Sequence, residues 1–213
     1  MSEKRLILLA AGGHGSVVLD ALMSAGARIE GIVDPGKTIG SKVFGVPVIG
    51  GDEWMERVCP PDITLVNGAG AVPTGQLRKR LFSTWKQRGF SFESVVHPSS
   101  ILGMETVIFE GAQVLAGSIL QCRVSVGENA VINTRASLDH DAKIGAHAFI
   151  GPGATLCGDV CIGEHVFVGA GAVVLPGIIV GAGSIIGAGA IVTHNVAEGS
   201  VMVGNPAIQK RTI

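Results

Sequence analysis

The sequence of 213 residues contains no tyrosine, and aromatic residues make up only 4% of it. Large rings contribute much of the buried area in many protein cores, so their scarcity argues against a conventional core filled by aromatic side chains. Glycine is frequent, with 32 residues, and hydrophobic residues reach 47%. The composition therefore predicts a core in which small side chains pack at close, repeated distances.

Basic clusters and long apolar runs are also missing. The formal net charge is −1, the pI is about 6.6, and no group of Lys and Arg could follow a phosphate backbone, which argues against nucleic-acid binding. The apolar run that begins at Leu6 breaks at Gly12 and Gly13 before it reaches the length of a signal peptide. No run of about 18 apolar residues could cross a membrane. We therefore expect a cytoplasmic protein without a membrane partner.

A period of six residues runs through the C-terminal half. Four residues after each aliphatic position of this period comes a second residue that is nearly always small, as at Ala130, Ala136 and Ala142. Both columns are expected to face inward, and three six-residue units would close a coil of eighteen. The pattern predicts a left-handed parallel β-helix over residues 99–213. The aliphatic column comprises Leu102, Ile108, Val114, Leu120, Val126, Ile132, Leu138, Ile144, Ile150, Leu156, Ile162, Val168, Val174, Val180, Ile186 and Val192.

Glycine often follows the aliphatic residue, and there we expect the chain to bend between short strands without the steric cost of a Cβ. Disorder is disfavoured because this segment is the most apolar part of the chain. Because a solenoid exposes flat faces, association through one face is expected, most simply as a trimer around a threefold axis. The glycines of this column are Gly103, Gly127, Gly145, Gly151, Gly163, Gly169, Gly181 and Gly187.

Residues 1–98 alternate apolar strands with helical stretches, which predicts a small Rossmann-like parallel sheet in an α/β domain. Strands are expected over residues 6–10, 29–34, 62–67 and 91–97. Helices are expected over residues 16–25, 52–57 and 74–88, and a loop rich in glycine and proline should precede the second helix.

A glycine-rich turn, Gly12-Gly13-His14-Gly15, joins the first strand to the first helix. Backbone N–H groups at a helix N-terminus face an anion, so this turn suits a phosphate-bearing ligand. It lacks the spacing of the dinucleotide-binding motif, and a tight turn without a ligand is the alternative. Asp34, at the end of the second strand, is interpreted either as an acceptor for a ribose or base or as the cap of a turn.

Several segments, taken in order, resemble one family. They are the turn at 12–15, Asp34-Pro35, the segment 67–70 (Asn-Gly-Ala-Gly), the segment 133–141 within the repeats, and the segment 201–207. The resemblance is to the nucleotide-sugar acetyltransferases that include PglD, PerB and NeuD, and it covers essentially the whole chain. It implies a trimer whose N-terminal domain holds a nucleotide-linked amino sugar and whose β-helix holds acetyl-CoA in the cleft between neighbouring subunits.

The resemblance also implies roles for single residues. His140 matches the general base, and Asp141 matches the acidic neighbour that increases its basicity. Phe149 stands where the bacillosamine enzyme has a second histidine, and phenylalanine offers no side-chain hydrogen bond to CoA. The implied contacts to the nucleotide sugar are Gly12, Gly13, His14, Asp34 and Gly68. The implied contacts to acetyl-CoA, mostly through backbone groups, are Phe149, Gly158, Ala170 and Ala188.

The histidines are the candidates for acid–base and metal chemistry. Acetyl transfer to an amine needs a base, and histidine titrates in the right range. His140 lies outside the inward columns, so its imidazole should reach the surface or a subunit cleft; a solvated surface histidine is the alternative. His147 and His165 are eighteen residues apart, which favours a stacked surface pair over a metal site. No metal is expected, because no histidine pair has the five-residue spacing of the γ-class carbonic anhydrases.

The four cysteines form no CxxC pair, and in a reducing compartment we expect free thiols that lie mostly in the core. None has a partnered base, so direct transfer is favoured over an acyl-enzyme. The sequence therefore predicts N-acetylation of a nucleotide-linked deoxy amino sugar for surface-polysaccharide or glycan synthesis. Sugar O-acetylation of the sialic-acid type, and a non-catalytic repeat protein that binds a nucleotide sugar, stay open as alternatives.

Overall fold

The computed structural model describes residues 5–212, apart from the side chain of Pro61, as two compact units that divide between Val96 and His97. The helices of the first unit are α1 (Gly13–Ser24), α2 (Asp52–Met55), α3 (Leu77–Gln87) and a 3-10 helix at Pro60–Asp62. Its strands are β1 (Leu6–Leu9), β2 (Ile29–Val33), β3 (Lys42–Val43), β4 (Val46–Gly50), β5 (Thr64–Asn67), β6 (Ser91–Phe92) and β7 (Val95–Val96).

The sheet of the first unit has the strand order β3-β4-β2-β1-β5-β6. The pairs β4–β2, β2–β1, β1–β5 and β5–β6 are parallel. The central strand β1 is buried along its whole length, as expected of a strand covered on both faces. Helix α1 buries Val18, Leu19 and Leu22, which lie on one face of a 3.6-residue period. The α/β class predicted from the sequence is confirmed.

A hairpin occupies the segment in which the sequence indicated only a loop. Strand β3 pairs antiparallel with β4, so the sheet is mixed. The two turn residues, Phe44 and Gly45, have φ angles of 48° and 85°, and two positive φ values suit the turn that best matches the twist of a hairpin. Val46 and Val48 are buried and alternate with half-buried neighbours, which is the period of a strand.

Four aromatic rings pack together in the core of the first unit. Phe82 and Phe92 pack with ring centroids 4.6 Å apart, and Trp85 meets Phe90 edge to face at 5.7 Å. Phe82 and Trp85 are three residues apart and lie on the buried face of α3. Large rings thus form part of this core, where the composition indicated small side chains packed at close distances, because the few aromatic residues of the chain are concentrated in this unit.

The second unit is a parallel β-helix, and the predicted hexapeptide period is confirmed. As far as residue 192, strands eighteen residues apart pair in parallel, so that Val131 lies opposite Phe149 and Phe149 opposite Phe167. The last two strands, Ser200–Val203 and Ile208–Thr212, pair antiparallel. The strands are β8 (Ile101–Leu102), β9 (Val107–Ile108), β10 (Gln113–Val114), β11 (Ile119–Leu120), β12 (Ser125–Val126), β13 (Val131–Ile132), β14 (Ser137–Leu138), β15 (Lys143–Ile144), β16 (Phe149–Ile150), β17 (Thr155–Leu156), β18 (Cys161–Ile162), β19 (Phe167–Val168), β20 (Val173–Val174), β21 (Ile179–Val180), β22 (Ile185–Ile186), β23 (Ile191–Val192), β24 (Ser200–Val203) and β25 (Ile208–Thr212).

The two inward columns form the core of the β-helix. The aliphatic column from Val114 to Val192 is at most 4% exposed, and the small residues beside it, such as Ala136 and Ala154, are fully buried. Leu102 departs from this pattern, being 41% exposed, because β8 lies at the edge of its sheet. Full burial of one such aliphatic side chain stabilises a fold by roughly 1.5–3 kcal/mol, so the column carries much of the stability of the unit.

The repeated glycines do not make the bends, and this expectation is wrong. A Cβ on Gly145 would lie 2.6 Å from the backbone nitrogen of Glu164 in the next coil, and one on Gly163 would lie 2.7 Å from that of Ala182. These glycines therefore permit the close stacking of coils. The bends lie two residues later, where the backbone takes positive φ with or without glycine, as at Asn129 (54°).

Candidate active site

Three loops meet where the strands β1, β2 and β5 end. After β1, the N–H of Ala11 donates to Oδ2 of Asp34, which follows β2, over 2.8 Å. After β5, the N–H of Gly68 donates to the carbonyl oxygen of Leu9 over 2.7 Å. Ligands bind at this edge of open α/β sheets because neighbouring parallel strands end there together. The loops that carry the predicted substrate residues thus converge.

Asp34 joins two of these loops. Besides the bond from Ala11, its Oδ1 accepts the N–H of Gly36 over 2.9 Å. The capping interpretation of Asp34 therefore describes its contact with Gly36, whereas the bond from Ala11 joins it to another loop. A carboxylate offers about four lone-pair sites, so acceptor capacity for a ligand is left beside the backbone bonds.

The glycines at this edge differ in what they require. Gly12 and Gly13 are exposed, and a Cβ at either position would meet no atom within 4 Å, which leaves the anion-attracting N-terminus of α1 open. Gly68 is buried, and a Cβ there would overlap the carbonyl oxygen of Ala10. Gly68 thus allows two loops to approach closely, and its N–H is already bonded to the carbonyl oxygen of Leu9. His14 is half-buried and packs beside Gly70.

Arg78 lies buried behind the loop after β5. Its guanidinium donates to the carbonyl oxygens of Asn67 over 3.1 Å and Ala69 over 3.0 Å. The side-chain amide of Asn67 donates in return to the carbonyl oxygen of Arg78 over 2.9 Å. Burial lowers the pKa of Arg78 to about 9, which leaves it charged at neutral pH. A buried cation therefore fixes this loop and makes the edge more attractive to a phosphate.

A cavity of about 520 Å³ opens beside Asp34, within the range of about 300–1,000 Å³ that is usual for small-molecule sites. Arg88 forms part of its wall, 5.0 Å over the ring of Trp85 and bonded to both carboxylate oxygens of Glu56 at 2.7 and 2.8 Å. Of the predicted substrate residues, Asp34 lines this cavity and the others do not. The remaining lining residues are Leu9, Ala10, Val33, Pro35, Asp52, Met55, Leu77, Arg80, Leu81 and Thr84.

In the second unit, His140 and Asp141 occupy the turn between β14 and β15. Nδ1 of His140 lies 2.8 Å from Oδ2 of Asp141, so these neighbours in sequence face each other. Asp141 has a φ of 63°, the left-handed conformation of the repeated bend. The imidazole is 53% exposed, as expected for a residue outside the inward columns.

Arg123 holds the same carboxylate from the preceding coil. Its Nε donates to Oδ1 of Asp141 over 2.6 Å, and its Nη2 donates to Oδ2 over 3.0 Å. These bonds, followed by the bond from His140, hold the pKa of Asp141 well below its usual range. An ionised carboxylate can only accept, so Nδ1 of His140 carries the hydrogen. Nε2 then keeps the lone pair that can take a proton.

Gly158, in the coil after His140, leaves room for the imidazole. A Cβ on Gly158 would lie 2.6 Å from Nε2 and 2.7 Å from Cε1 of His140. The N–H of Asp159 donates to the carbonyl oxygen of His140 over 2.9 Å, which ties the two coils together at this point. Glycine thus allows the ring to rest against the backbone of the next coil.

Two known families match the chain. Residues 5–84 match the PglD N-terminal domain, and residues 123–158, 141–175 and 159–194 match the bacterial transferase hexapeptide of six repeats. No curated protein sequence matches the chain.

Solved structures match over nearly the whole length. A perosamine N-acetyltransferase from Caulobacter crescentus, a histidine-to-asparagine variant in complex with CoA and GDP-perosamine, is 33% identical with a TM-score of 0.89, covering 97% of each chain. The acetyltransferase domain of PglB from Neisseria gonorrhoeae, in complex with acetyl coenzyme A, is 31% identical with a TM-score of 0.89, covering 98% of this chain and 100% of that one. The chain belongs to the PglD/PerB/NeuD family of acetyltransferases. WeeI from Acinetobacter baumannii, 24% identical with a TM-score of 0.84 over 97% of this chain and 99% of that one, shares the fold.

The positions that the family resemblance assigned to acetyl-CoA fall into three places. Gly158 faces His140, whereas Ala170 and Ala188 are both exposed and lie in neighbouring coils of one column. Phe149 is only 9% exposed and stacks on Phe167 with centroids 5.0 Å apart. Most of Phe149 is therefore covered, and its N–H already donates to the carbonyl oxygen of Val166 over 2.9 Å.

Other expectations for this acetyltransferase concern histidine and cysteine. The stacked pair His147 and His165 is confirmed, with centroids 4.8 Å apart and rings within 4° of parallel. The cysteines are free, but the expectation of mostly core thiols is wrong, because Cys59 is exposed and the other three are half-buried. Within residues 5–212, no group of three or more His, Cys, Asp or Glu could hold a metal ion. The helices described there are too short to cross a membrane.

Sequence reasoning missed two arginines of these sites. Arg123 lies eighteen residues before Asp141, so the coil length offered a signal for the pair. Arg78 carried no such signal, because an arginine at the start of an amphipathic helix is normally solvated.

Proposed function

We propose that this protein transfers the acetyl group of acetyl-CoA to the amino group of a nucleotide-linked deoxy amino sugar, with His140 as general base. The observation that carries the proposal is the pair of bonds that Asp141 makes to His140 and Arg123. They leave Nε2 of His140 as the proton acceptor. Membership of the family supports the same chemistry, as an acetyl-CoA-dependent sugar N-acetyltransferase.

In the proposed reaction, the sugar nitrogen attacks the thioester carbonyl and Nε2 of His140 takes the proton that the nitrogen loses. The tetrahedral intermediate then collapses, the C–S bond breaks, and the departing CoA sulfur receives the proton from the imidazolium. Asp141 stabilises the charged imidazolium through Nδ1. No cysteine acylation is needed, so the transfer is direct.

The nucleotide is proposed to bind the α/β unit. The open N-terminus of α1 at Gly12 and Gly13, with His14 beside it, suits the pyrophosphate. Asp34 retains acceptor capacity at the cavity, which would hold the nucleoside, and Gly68 acts through the close approach of its loop. The buried charge of Arg78 supports an anionic ligand at this edge.

Acetyl-CoA is proposed to contact the β-helix at Phe149, Gly158, Ala170 and Ala188. We further propose a homotrimer that acts in the cytoplasm in surface-polysaccharide or glycan synthesis. The relative from Caulobacter crescentus contains CoA and GDP-perosamine together, which supports a ternary complex for this chain as well.

His140→Ala and His140→Asn test the proposal by release of CoA from acetyl-CoA with UDP-, GDP- and dTDP-linked amino sugars. General-base catalysis contributes about 10²–10⁴-fold, so kcat should fall by that amount while KM changes little. His194→Ala is the matched control, because His194 is exposed and contacts the neighbouring Thr193.

Unchanged CoA release in the His140 variants would remove this histidine from the reaction. Nucleotide sugars that raise the melting temperature without any CoA release would indicate the non-catalytic binding protein. A product from which mild base removes acetate would be an ester, and would indicate O-acetylation.

A further inference from the structure

Arg123 and Asp141 occupy the same position in successive coils. Both lie in the repeated left-handed bend, with φ angles of 62° and 63°. The strands that follow them pair in register, Ser125 opposite Lys143, which places the two bends one above the other. The guanidinium therefore meets the carboxylate from the coil below through two bonds, to Oδ1 and to Oδ2.

This ion pair contributes little to holding the β-helix together. The side chain of Arg123 is 52% exposed and that of Asp141 is 35% exposed, and exposed ion pairs add little to stability. A two-pronged contact does, however, fix the plane of a carboxylate more firmly than a single charge can. The geometry thus favours an orienting role over a structural one.

The carboxylate that Arg123 holds is the one that selects the tautomer of His140. Oδ2 accepts both Nη2 of Arg123 and Nδ1 of His140. If the carboxylate turned away, Nδ1 would lose its acceptor, and the hydrogen could move to Nε2, where it would block proton uptake. The orientation of Asp141 therefore decides whether His140 can act as a base.

We propose that Arg123 is a positioning residue for acetyl transfer, which orients the carboxylate of Asp141 and thereby keeps the hydrogen of His140 on Nδ1. This inference rests on the proposed function of His140. The proposed role of Arg123 differs from a purely electrostatic one, because the two donors of its guanidinium, and not its positive charge alone, set the plane of the Asp141 carboxylate.

The test measures kcat and KM for Arg123→Gln and Arg123→Lys, with Arg135→Gln as the matched control. Arg135 is an exposed arginine at the same left-handed position of another bend, with a φ of 58°. The effect of placing glutamine at positive φ is therefore common to Arg123→Gln and Arg135→Gln. Arg123→Gln should lower kcat by roughly 10–100-fold, as misplaced groups do, with both KM values unchanged. Arg123→Lys should stay impaired; full recovery would show that charge alone suffices and would overturn the proposal.

A double-mutant cycle shows whether Arg123 acts through Asp141. In an Asp141→Asn background, Arg123→Gln should cause no further loss, because the group it orients is gone. Equal losses in both backgrounds, or a melting temperature lowered by Arg123→Gln but not by Arg135→Gln, would overturn the positioning role.

A spectroscopic readout separates this inference from the proposed function. The ¹⁵N shifts of the imidazole nitrogens, assigned with His140→Gln, should report hydrogen on Nδ1 in the parent protein and a mixed tautomer in Arg123→Gln. An inactive protein with this tautomer shift would refute the function and keep the positioning role. An active protein in which Arg123→Gln leaves the tautomer of His140 unchanged would keep the proposed function and refute the positioning role.

Discussion

The α/β unit buries aromatic rings, whereas the inward columns of the β-helix hold aliphatic residues, alanine and serine. Phe82, Trp85, Phe90 and Phe92 pack in one cluster of the first unit. In the second unit each inward side chain must fit between coils that repeat every eighteen residues, so a ring would force neighbouring coils apart. The low aromatic content of the whole chain thus averages over two different packing solutions.

The two units also build their sites differently. In the α/β unit, three loops of unrelated sequence converge because their strands are neighbours in the sheet. In the β-helix, one bend among many identical ones carries His140 and Asp141, and stacked positions supply Arg123 and Gly158. A site in the repeat unit therefore depends on a few side chains at stacked positions of a regular backbone. The α/β site depends on a particular arrangement of loops.

The largest effect should follow from opening the aromatic core. Phe82→Ala should lower the free energy of unfolding of the α/β unit by about 3–5 kcal/mol, because it leaves a cavity. Both tryptophans lie in this unit, so tryptophan fluorescence in a denaturant titration follows it. Phe44→Ala, at an exposed turn, is the control, with about 0.5 kcal/mol or less. If Phe82→Ala shifted the unfolding midpoint of the β-helix, measured by circular dichroism, as much as that of the α/β unit, the two units would unfold together. Their packing could then not be compared separately.

A deletion in the aliphatic column should measure the other packing solution. Leu156→Ala should destabilise the β-helix by about 2–5 kcal/mol, because Leu156 is fully buried. Leu102→Ala removes the same atoms from the same column, but at the exposed first coil it should cost about 0.5 kcal/mol or less. Circular dichroism during denaturation compares them; equal losses would contradict the dependence on stacking.

A smaller effect should distinguish the two kinds of glycine in the β-helix. Gly163→Ala should destabilise by about 1–3 kcal/mol, since its Cβ overlaps the next coil. Gly183→Asn should be nearly neutral, because a Cβ at Gly183 meets open space and Asn129 already adopts the same positive φ. Melting temperatures measure both variants. A larger loss in Gly183→Asn than in Gly163→Ala would indicate that the bend lies at the column of Gly163, as the sequence predicted.

Part of the α/β unit lay beyond sequence reasoning. The β3–β4 hairpin was missed because its turn places Phe44 at positive φ, a conformation that a bulky residue rarely adopts. The strands are short, and the alternation of Val46 and Val48 is interrupted by Pro47, which is normally an edge-strand signal. The aromatic cluster was missed because composition does not say where residues meet.

The candidate site was foreseen in its residues more than in its contacts. His140 and Asp141 could be named from the family resemblance, and their mutual contact came from the left-handed bend. Arg123 and Gly158 approach His140 and Asp141 only because coils stack in register. Arg78 was missed because its burial depends on the loop after β5 folding over it.

The sequence by itself determined the β-helix, because a period of six with one aliphatic and one small inward residue fits a short strand and a bend, and it disfavours a helix. It also determined the α/β class and the family. Only the tertiary structure decided which glycines permit the close stacking of coils, how the loops after β1, β2 and β5 join, and that Asp141 is shared by Arg123 and His140. Those contacts depend on register and side-chain direction, which are set when coils and strands pack and the bends take positive φ.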